Sequence, residues 1–256
     1  MKKFMTGFGM MVLAVLMITG NAMAISLGNS YDRPAYDLQT LLDDTVGEGV
    51  LDAEKDQTGQ GVWMESEDGD VDTYLINMVR GDSGRLGIYS AETGDEYYLT
   101  ASGNDKDADW TSSFSVDDNG QIKINGTWQD AYFGYAFGFF WENTSNALKS
   151  YTQSGKNISG YGPDQNVLAL SYHLASGVSS KIYDQGHTET KIATGDDWIV
   201  AFEDRLNLDG DFNDAVFYVE DIKATAATPE PSTSLLLGIG LICCAVVYRR
   251  KRSCEE

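Results

Sequence analysis

The largest group of oxygen-bearing side chains in this chain lies in one acidic segment, residues 196–221. Two apolar stretches flank a short loop in that segment. The side chains there that could bind a metal ion are Glu203, Asp204, Asp209, Asp211, Asn213 and Asp214. Oxygen ligands at alternate positions of a turn can converge on one hard cation, and calcium takes roughly six to eight of them. The spacing therefore predicts a calcium site in this loop.

The acidic loop differs from an EF-hand, although part of its spacing matches. Asp209, Asp211 and Asn213 fall at the first, third and fifth positions of such a loop, and Glu220 falls at the twelfth. The sixth position is Asp214 instead of glycine, and the exit sequence AVFYV is typical of a strand. We therefore predict a cation-binding β-hairpin, with an acidic hairpin that is only solvated as the alternative.

Two further acidic groups have the same alternate spacing. They are Asp105, Asp107 and Asp109 in one loop, and Asp68, Asp70 and Asp72 in another. Neither group has a carboxylate at its twelfth position, so a polar loop that binds no ion is the alternative for both. The first group is the stronger of these two weaker calcium candidates.

The sequence around these loops predicts short β-strands. Nine segments are rich in β-branched and aromatic residues and are separated by turn residues: 71–79, 85–89, 96–100, 113–116, 121–125, 132–141, 167–174, 198–203 and 215–219. One short helix is predicted over 36–42. We therefore predict an all-β domain over residues 25–228, a β-sandwich of jelly-roll type.

Aromatic residues are concentrated in the run YFGYAFGFFW, residues 132–141. One interpretation is a central strand whose glycines let neighbouring layers approach closely. The other is a platform of rings that stacks on sugars. We favour the core strand, because aromatic side chains supply much of the buried area in such sandwiches. The same applies to the five tryptophans, of which we expect one or two to be exposed.

The N-terminal residues 1–24 are typical of a secretory signal peptide. Two lysines come first, an apolar stretch follows, and small residues at Ala22 and Ala24 form a cleavage motif. We expect export and a mature chain that begins near Ile25.

The C-terminal residues 229–256 predict a second targeting signal. Fourteen apolar or small residues, 235–248, precede four basic residues, and a helix of that length spans about 21 Å. Flanking residues can extend it toward the ~30 Å hydrocarbon core, so we predict a marginal transmembrane helix whose basic end stays cytoplasmic. Pro229, Glu230 and Pro231 stand just before it, and an ordinary tail anchor, which is the alternative, does not need them.

This order of Pro-Glu-Pro, apolar helix and basic end resembles the PEP-CTERM sorting signal of Gram-negative bacteria. The resemblance implies recognition by exosortase, a membrane cysteine protease-transpeptidase, after export and a transient inner-membrane stage. It also implies removal of the tail during delivery to the cell surface or extracellular matrix. Bacteria with this signal typically make exopolysaccharide, which is therefore a candidate partner.

The acidic hairpin itself resembles a domain of unknown function, number 4114, found in secreted bacterial proteins. The matching residues are Phe202-Glu203-Asp204 and Asp209-Gly210-Asp211-Phe212-Asn213-Asp214. That family has no assigned activity. The resemblance therefore implies surface location and calcium more than any reaction.

Charge and composition exclude several classes of function. The 256 residues have a formal net charge of -21, and residues 25–228 alone carry 12 bases against 36 acids. Such a domain will not bind nucleic acid through phosphates or adhere to anionic lipid. All three cysteines lie in the C-terminal tail, so the domain has no disulfide and no thiolate metal site.

Catalytic motifs are absent from the sequence. It has no nucleophile elbow, no glycine-rich phosphate loop and no HExxH pattern, and its two histidines are isolated. We therefore predict a non-enzymatic protein of the cell surface or matrix that is stabilised by calcium and associated with exopolysaccharide. A calcium-dependent carbohydrate-binding module is the alternative, and a glycan hydrolase is the third interpretation.

Overall fold

The computed structural model describes residues 25–27, 37–67, 70–78, 83–103, 110–157, 167–184, 187–203 and 210–225. Several predicted features lie outside these residues: the signal peptide with Ala22 and Ala24, Asp105, Asp107, Asp109, Asp204, Asp209, the Pro229-Glu230-Pro231 motif and the apolar segment 235–248. In the part of the chain that the structure describes, no helix is long and apolar enough to cross a membrane. The described helix and strands all belong to one compact unit, Met1–Ala224.

Within the described ranges the chain forms one α-helix, a single 3-10 turn and fifteen β-strands. The helix α1 is Leu38–Val46 and the turn is Ser154–Lys156. The strands are β1 (Trp63–Glu65), β2 (Val71–Met78), β3 (Gly84–Ser90), β4 (Glu96–Tyr98), β5 (Ser112–Val116), β6 (Gln121–Ile124), β7 (Thr127–Tyr132), β8 (Phe137–Asn143), β9 (Leu148–Tyr151), β10 (Ala169–Leu174), β11 (Ser179–Asp184), β12 (His187–Ile192), β13 (Asp197–Phe202), β14 (Ala215–Val219) and β15 (Ile222–Ala224).

The strands form two antiparallel sheets. The six-stranded sheet has the order β15-β1-β8-β3-β4, with β9 also paired to β8. The nine-stranded sheet has the order β10-β13-β14-β2-β5-β6-β7, and the hairpin β11–β12 joins it through β2. The pair β13–β14 lies inside this larger sheet, with β10 on one side and β2 on the other.

The main hydrophobic core lies between the two sheets. Phe114 of the larger sheet contacts Phe137 of the smaller sheet with ring centroids 5.1 Å apart, and Trp63 contacts Trp198 at 5.7 Å. Along their strands these rings alternate with residues of the opposite face, which is the period of two of a β-strand. The two sheets therefore pack face to face around a largely aromatic core.

A second core covers the other face of the strands that carry the acidic hairpin. Leu38, Leu41 and Leu42 of α1 pack in one cluster with Ile199 of β13 and Tyr218 of β14. Asp37 caps the helix, because its side chain accepts a hydrogen bond from the Thr40 backbone N–H at 2.7 Å. Strands β13 and β14 are consequently buried on both faces.

The structure confirms an all-β fold of two antiparallel sheets, whereas the jelly-roll connectivity stays a prediction. The prediction of one strand over 132–141 is wrong, because that segment contains the end of β7, a turn and the start of β8. Gly134 has φ +93° in the turn, and the Glu92 side chain accepts the backbone N–H of Tyr135 at 2.8 Å. The predicted helix also lies further along the chain than expected, since α1 ends at Val46.

Candidate metal centre

The acidic loop is the connection between β13 and β14. Phe202 of β13 pairs with Ala215 of β14 at the end of this antiparallel ladder. Glu203 directly follows Phe202, and Asp214 directly precedes Ala215, so the two residues lie next to the last pair. Residues that follow an antiparallel pair remain neighbours at about 5 Å before the chains diverge. The register of the hairpin therefore brings these two carboxylates together, although they are separated by ten residues of sequence.

Glu203 is held by backbone contacts to both sheets. Its N–H donates to the Leu168 carbonyl at 3.0 Å, and its carbonyl accepts the Ser150 hydroxyl of β9 at 2.5 Å. The residue is 1% exposed. A carboxylate placed so deep raises the free energy of the folded protein unless opposite charge or hydrogen bonds compensate it.

The returning part of the loop presents Asp211 in a compact turn. The Asn213 side-chain amide donates to one Asp211 oxygen at 2.8 Å, and the Asn213 backbone N–H reaches the other at 3.4 Å. Phe212 between them has φ +51° and is 1% exposed. Since a non-glycine residue at positive φ costs of order 1–3 kcal/mol, burial of the Phe212 ring in the second core holds the turn in this conformation.

Three carboxylates converge at this hairpin, and we call Glu203, Asp211 and Asp214 the carboxylate cluster. One ligand oxygen of each lies within 4.8 Å of the others. Among the described residues, it is the only group of three or more His, Cys, Asp or Glu side chains with such spacing. Of the six predicted ligands, the structure brings these three together and places Asn213 in a hydrogen bond to Asp211, while Asp204 and Asp209 lie outside the described residues.

A further buried carboxylate, Asp197, has a structural role that its sequence position did not indicate. It accepts hydrogen bonds from the Thr194 N–H at 2.8 Å, from the Tyr218 hydroxyl at 2.9 Å and from the Asp221 N–H at 3.3 Å. Burial, and then the nearby Asp197 carboxylate, hold the pKa of Tyr218 well above its ordinary value. Asp197 therefore fastens the start of β13 to β14 and is already satisfied by protein donors.

Of the weaker acidic group Asp68, Asp70 and Asp72, Asp68 lies outside the described residues and Asp70 is exposed just before β2. Asp72 lies in β2, where it accepts the Tyr74 hydroxyl at 3.2 Å. Lys191 of β12 donates to the same hydroxyl at 2.8 Å and to Glu220 at 3.1 Å. Burial is the main cause that raises the pKa of Tyr74 to about 12. These contacts account for Asp72 as part of a polar network that joins β2 to the β11–β12 hairpin.

Comparisons with known proteins identify the C-terminal tail. Residues 227–252 match the model of the PEP-CTERM protein-sorting motif. This match supports the conclusion that the protein is exported, sorted by exosortase and delivered to the surface of a Gram-negative cell. No curated protein and no solved structure matches the chain. The resemblance of the acidic hairpin to the domain of unknown function 4114 stays a prediction.

Proposed function

We propose that this chain is a non-enzymatic protein of the cell surface or extracellular matrix, stabilised by calcium at the carboxylate cluster and associated with exopolysaccharide. The observation that carries the proposal is the match of residues 227–252 to the sorting motif. Residues 1–24 would direct export and be removed, and exosortase would process the tail after a transient inner-membrane stage. The mature protein would then consist of the two-sheet domain.

Calcium is the cation that fits the carboxylate cluster best. The ligand atoms are hard oxygens from Glu203, Asp211 and Asp214 within 4.8 Å of one another, and the described residues contribute no His or Cys to the group. Oxygen-only sites favour calcium or magnesium, and the further carboxylates in the sequence of this loop, Asp204 and Asp209, favour calcium because calcium takes more ligands. An ion here would tie β13 to β14 and to the buried turn at Phe212.

The burial of the cluster supports a structural role for the ion. Glu203 is 1% and Asp211 is 4% exposed, so a sugar residue has no room to lie between their carboxylates. A glycosidase needs its two carboxyl groups on either side of a bound substrate. Burial equally disfavours an ion that bridges to sugar hydroxyls. For these reasons we prefer a stabilising ion to a hydrolase and to a calcium-dependent carbohydrate-binding module.

The sorting part of the proposal is tested by replacing Pro229, Glu230 and Pro231 with alanine in the native host. We expect the wild-type chain to leave the membrane fraction in shortened form and the variant to stay there as a longer precursor. Replacing Glu255 and Glu256 with alanine is the matched control, because these residues lie beyond the matched segment. Normal processing of the triple variant would refute sorting by this motif.

A further inference from the structure

Three of the seven large apolar side chains that are exposed among the described residues lie on and beside one strand. Trp128 is 50%, Tyr132 is 49% and Tyr135 is 45% exposed, and all three lie on β7 or immediately after it. The other tryptophans are at most 5% exposed. Exposed apolar groups that occur together indicate a surface that binds something, whereas single ones do not. We call Trp128, Tyr132 and Tyr135 the aromatic patch.

Strand register places two of these rings on the same face. Trp128 lies opposite Lys123 of β6, and Tyr132 lies opposite Gln121. Ile122 between them is fully buried, so Gln121 and Lys123 both point outward. Because directly opposed residues of an antiparallel pair share a face, Trp128 and Tyr132 also point outward. The Lys123 ammonium lies 5.6 Å from the Trp128 ring centroid, which agrees with this placement.

Hydrogen bonds hold the two tyrosine rings in place. The Tyr132 hydroxyl donates to Glu92 at 3.0 Å, and the Tyr135 N–H donates to the same carboxylate at 2.8 Å. The Tyr135 hydroxyl donates to the Asp118 carbonyl at 2.7 Å. Each ring is therefore fixed at its polar end and remains about half exposed. Rings that are already ordered lose little conformational entropy when a ligand binds.

Among the strands that the structure describes, none pairs with β7 on its outer side. β7 is the last strand in the order of the nine-stranded sheet, and all six of its residues are exposed or half-buried. Trp128 and Tyr132 pair with Lys123 and Gln121, which are only two residues apart, so β7 bulges between the two rings and their positions lie nearer than the roughly 13 Å that four residues span in a regular strand. A ligand that contacts both rings can lie along the strand without entering a pocket.

The charges around the aromatic patch select the kind of ligand. The charged residues on or beside it, within the described ranges, are Glu92, Asp117, Asp118 and Asp130 against Lys123. Hydrogen bonds, first from the Tyr135 N–H and then from the Tyr132 hydroxyl, lower the pKa of Glu92, so its carboxylate is ionised near neutral pH. An acidic polymer would be repelled here. A neutral chain with hydroxyl donors would find carboxylate acceptors beside the rings.

We infer that the aromatic patch binds an uncharged polysaccharide chain through stacking of sugar rings on Trp128, Tyr132 and Tyr135. The C–H face of a pyranose is apolar and flat, so it removes ring surface from water when it stacks, while its hydroxyl groups point outward toward the acidic rim. This inference rests on the proposed association with exopolysaccharide and gives it a location. The carboxylate cluster takes no part in it, so binding does not depend on calcium.

The test is electrophoresis of the full-length chain, in neutral detergent, through gels that contain hydroxyethylcellulose, galactomannan or dextran. We expect at least one of these neutral polymers to retard the wild-type chain, with or without EGTA, and the acidic polymer alginate not to do so. Trp128→Ala and Tyr132→Ala should each weaken the retardation about tenfold, since a stacked ring contributes about 1–1.5 kcal/mol. Trp128→Phe should retain most of it.

Ile192→Ala is the matched control, because Ile192 is an exposed large apolar side chain on another strand, β12. Equal thermal midpoints of the variants would show that the fold is intact. Retardation that persists in both alanine variants would overturn the aromatic patch but leave the proposed polysaccharide association. The inference about the aromatic patch would also be overturned if EGTA abolished the retardation, if alginate retarded the chain more strongly than the neutral polymers, or if none of the neutral polymers retarded it. The sorting experiment is unaffected by each of these results. A wild-type dimer that Trp128→Ala converts to monomer would show instead that a second copy covers the patch.

Discussion

Removal of calcium should lower the free energy of unfolding of the domain. The size of the decrease follows from the distances between the oxygens of the carboxylate cluster. With an effective dielectric constant of ~20, two unit charges ~4.8 Å apart repel by about 3.5 kcal/mol. The cluster contains three such pairs. An ion that binds only the folded state at 100 times its Kd adds about 2.7 kcal/mol to the free energy of unfolding. For a domain of this size that corresponds to a rise in Tm of about 5–11 °C.

The variant Glu203→Gln distinguishes a cluster that binds an ion from one that is stabilised by protein contacts alone. The substitution removes two of the three repelling pairs, so the variant in EGTA should melt above the wild-type chain in EGTA. The net gain is smaller than the repulsion removed, about 1–2 kcal/mol, because the amide introduced at this buried position loses its hydrogen bonds to water. The same variant should lose the response to calcium, because it lacks one charged ligand.

The assay is thermal unfolding of the full-length chain, followed by near-ultraviolet circular dichroism in calcium and in EGTA. Glu189→Gln is the control, because Glu189 is an exposed carboxylate on β12 and should respond to calcium like the wild-type chain. Equal Tm values for the wild-type chain in the two solutions would refute the reasoning. A calcium-dependent rise that persists in Glu203→Gln would place the ion elsewhere.

Three further predictions concern stability. Gly87→Ala should lower the free energy of unfolding by about 1–3 kcal/mol in urea, because the new Cβ would lie 2.1 Å from the Phe140 ring, whereas Gly155→Ala has nothing within 4 Å and should be neutral. Arg85 forms an ion pair with Glu142, with 2.7 Å between the Arg85 Nε and a Glu142 carboxylate oxygen. Arg85→Met should lower the free energy of unfolding at pH 7 by about 2–3 kcal/mol, which is less than for a fully buried pair because Arg85 is 32% exposed. Unchanged stability would contradict this prediction. The Arg85 guanidinium and the Tyr98 hydroxyl together outweigh burial and hold the pKa of Glu142 below its ordinary 4.5. In the wild-type chain the stability contributed by the ionised Glu142 carboxylate is therefore complete above pH ~4.5 and is lost as the pH falls through the lowered pKa. Denaturation curves between about pH 3 and 7 should show the smallest difference in stability between Arg85→Met and the wild-type chain at the acid end.

The strands that the sequence predicted well are those with a clear residue pattern. The segment 215–219 was predicted at both ends, because AVFYV is apolar, β-branched and bounded by polar residues. Strand β12 was missed because HTETKI is almost wholly polar and, among the described strands, pairs with β11 alone. The segment 132–141 was merged into one strand because local composition cannot show that Glu92, some forty residues earlier, binds the intervening turn.

The convergence of carboxylates at the candidate site could be predicted from the sequence, whereas their surroundings could not. Alternate oxygens at Asp211 and Asn213, together with Glu203 before the loop, indicated a convergent group, and the structure brings Glu203, Asp211 and Asp214 together. Their burial could not be foreseen, because it depends on Ser150 of the other sheet and on the Phe212 ring in the second core. Such contacts follow from tertiary packing and leave no periodic signal in the sequence.

The sequence predicted that most aromatic residues of the run 132–141 would be buried in the core, but it did not show which of them are exposed. Phe137, Phe139 and Trp141 are buried in the core, as the preferred interpretation of the run predicted. Tyr132 and Tyr135 of the same run are exposed, and Trp128 is the exposed tryptophan that was expected without being identified. The change occurs at the turn before β8, where the chain leaves the edge of one sheet and enters the centre of the other.

The intact mass of the protein recovered from the cell surface tests the central claim most directly. An exported chain that exosortase has processed should begin near Ile25 and should lack the apolar segment 235–248 together with its basic end. Mass spectrometry of the surface fraction, with sequencing of both termini, measures this in one preparation. A chain that still carries residues 1–24 and 235–248, or one found only in the cytoplasm, would contradict the account.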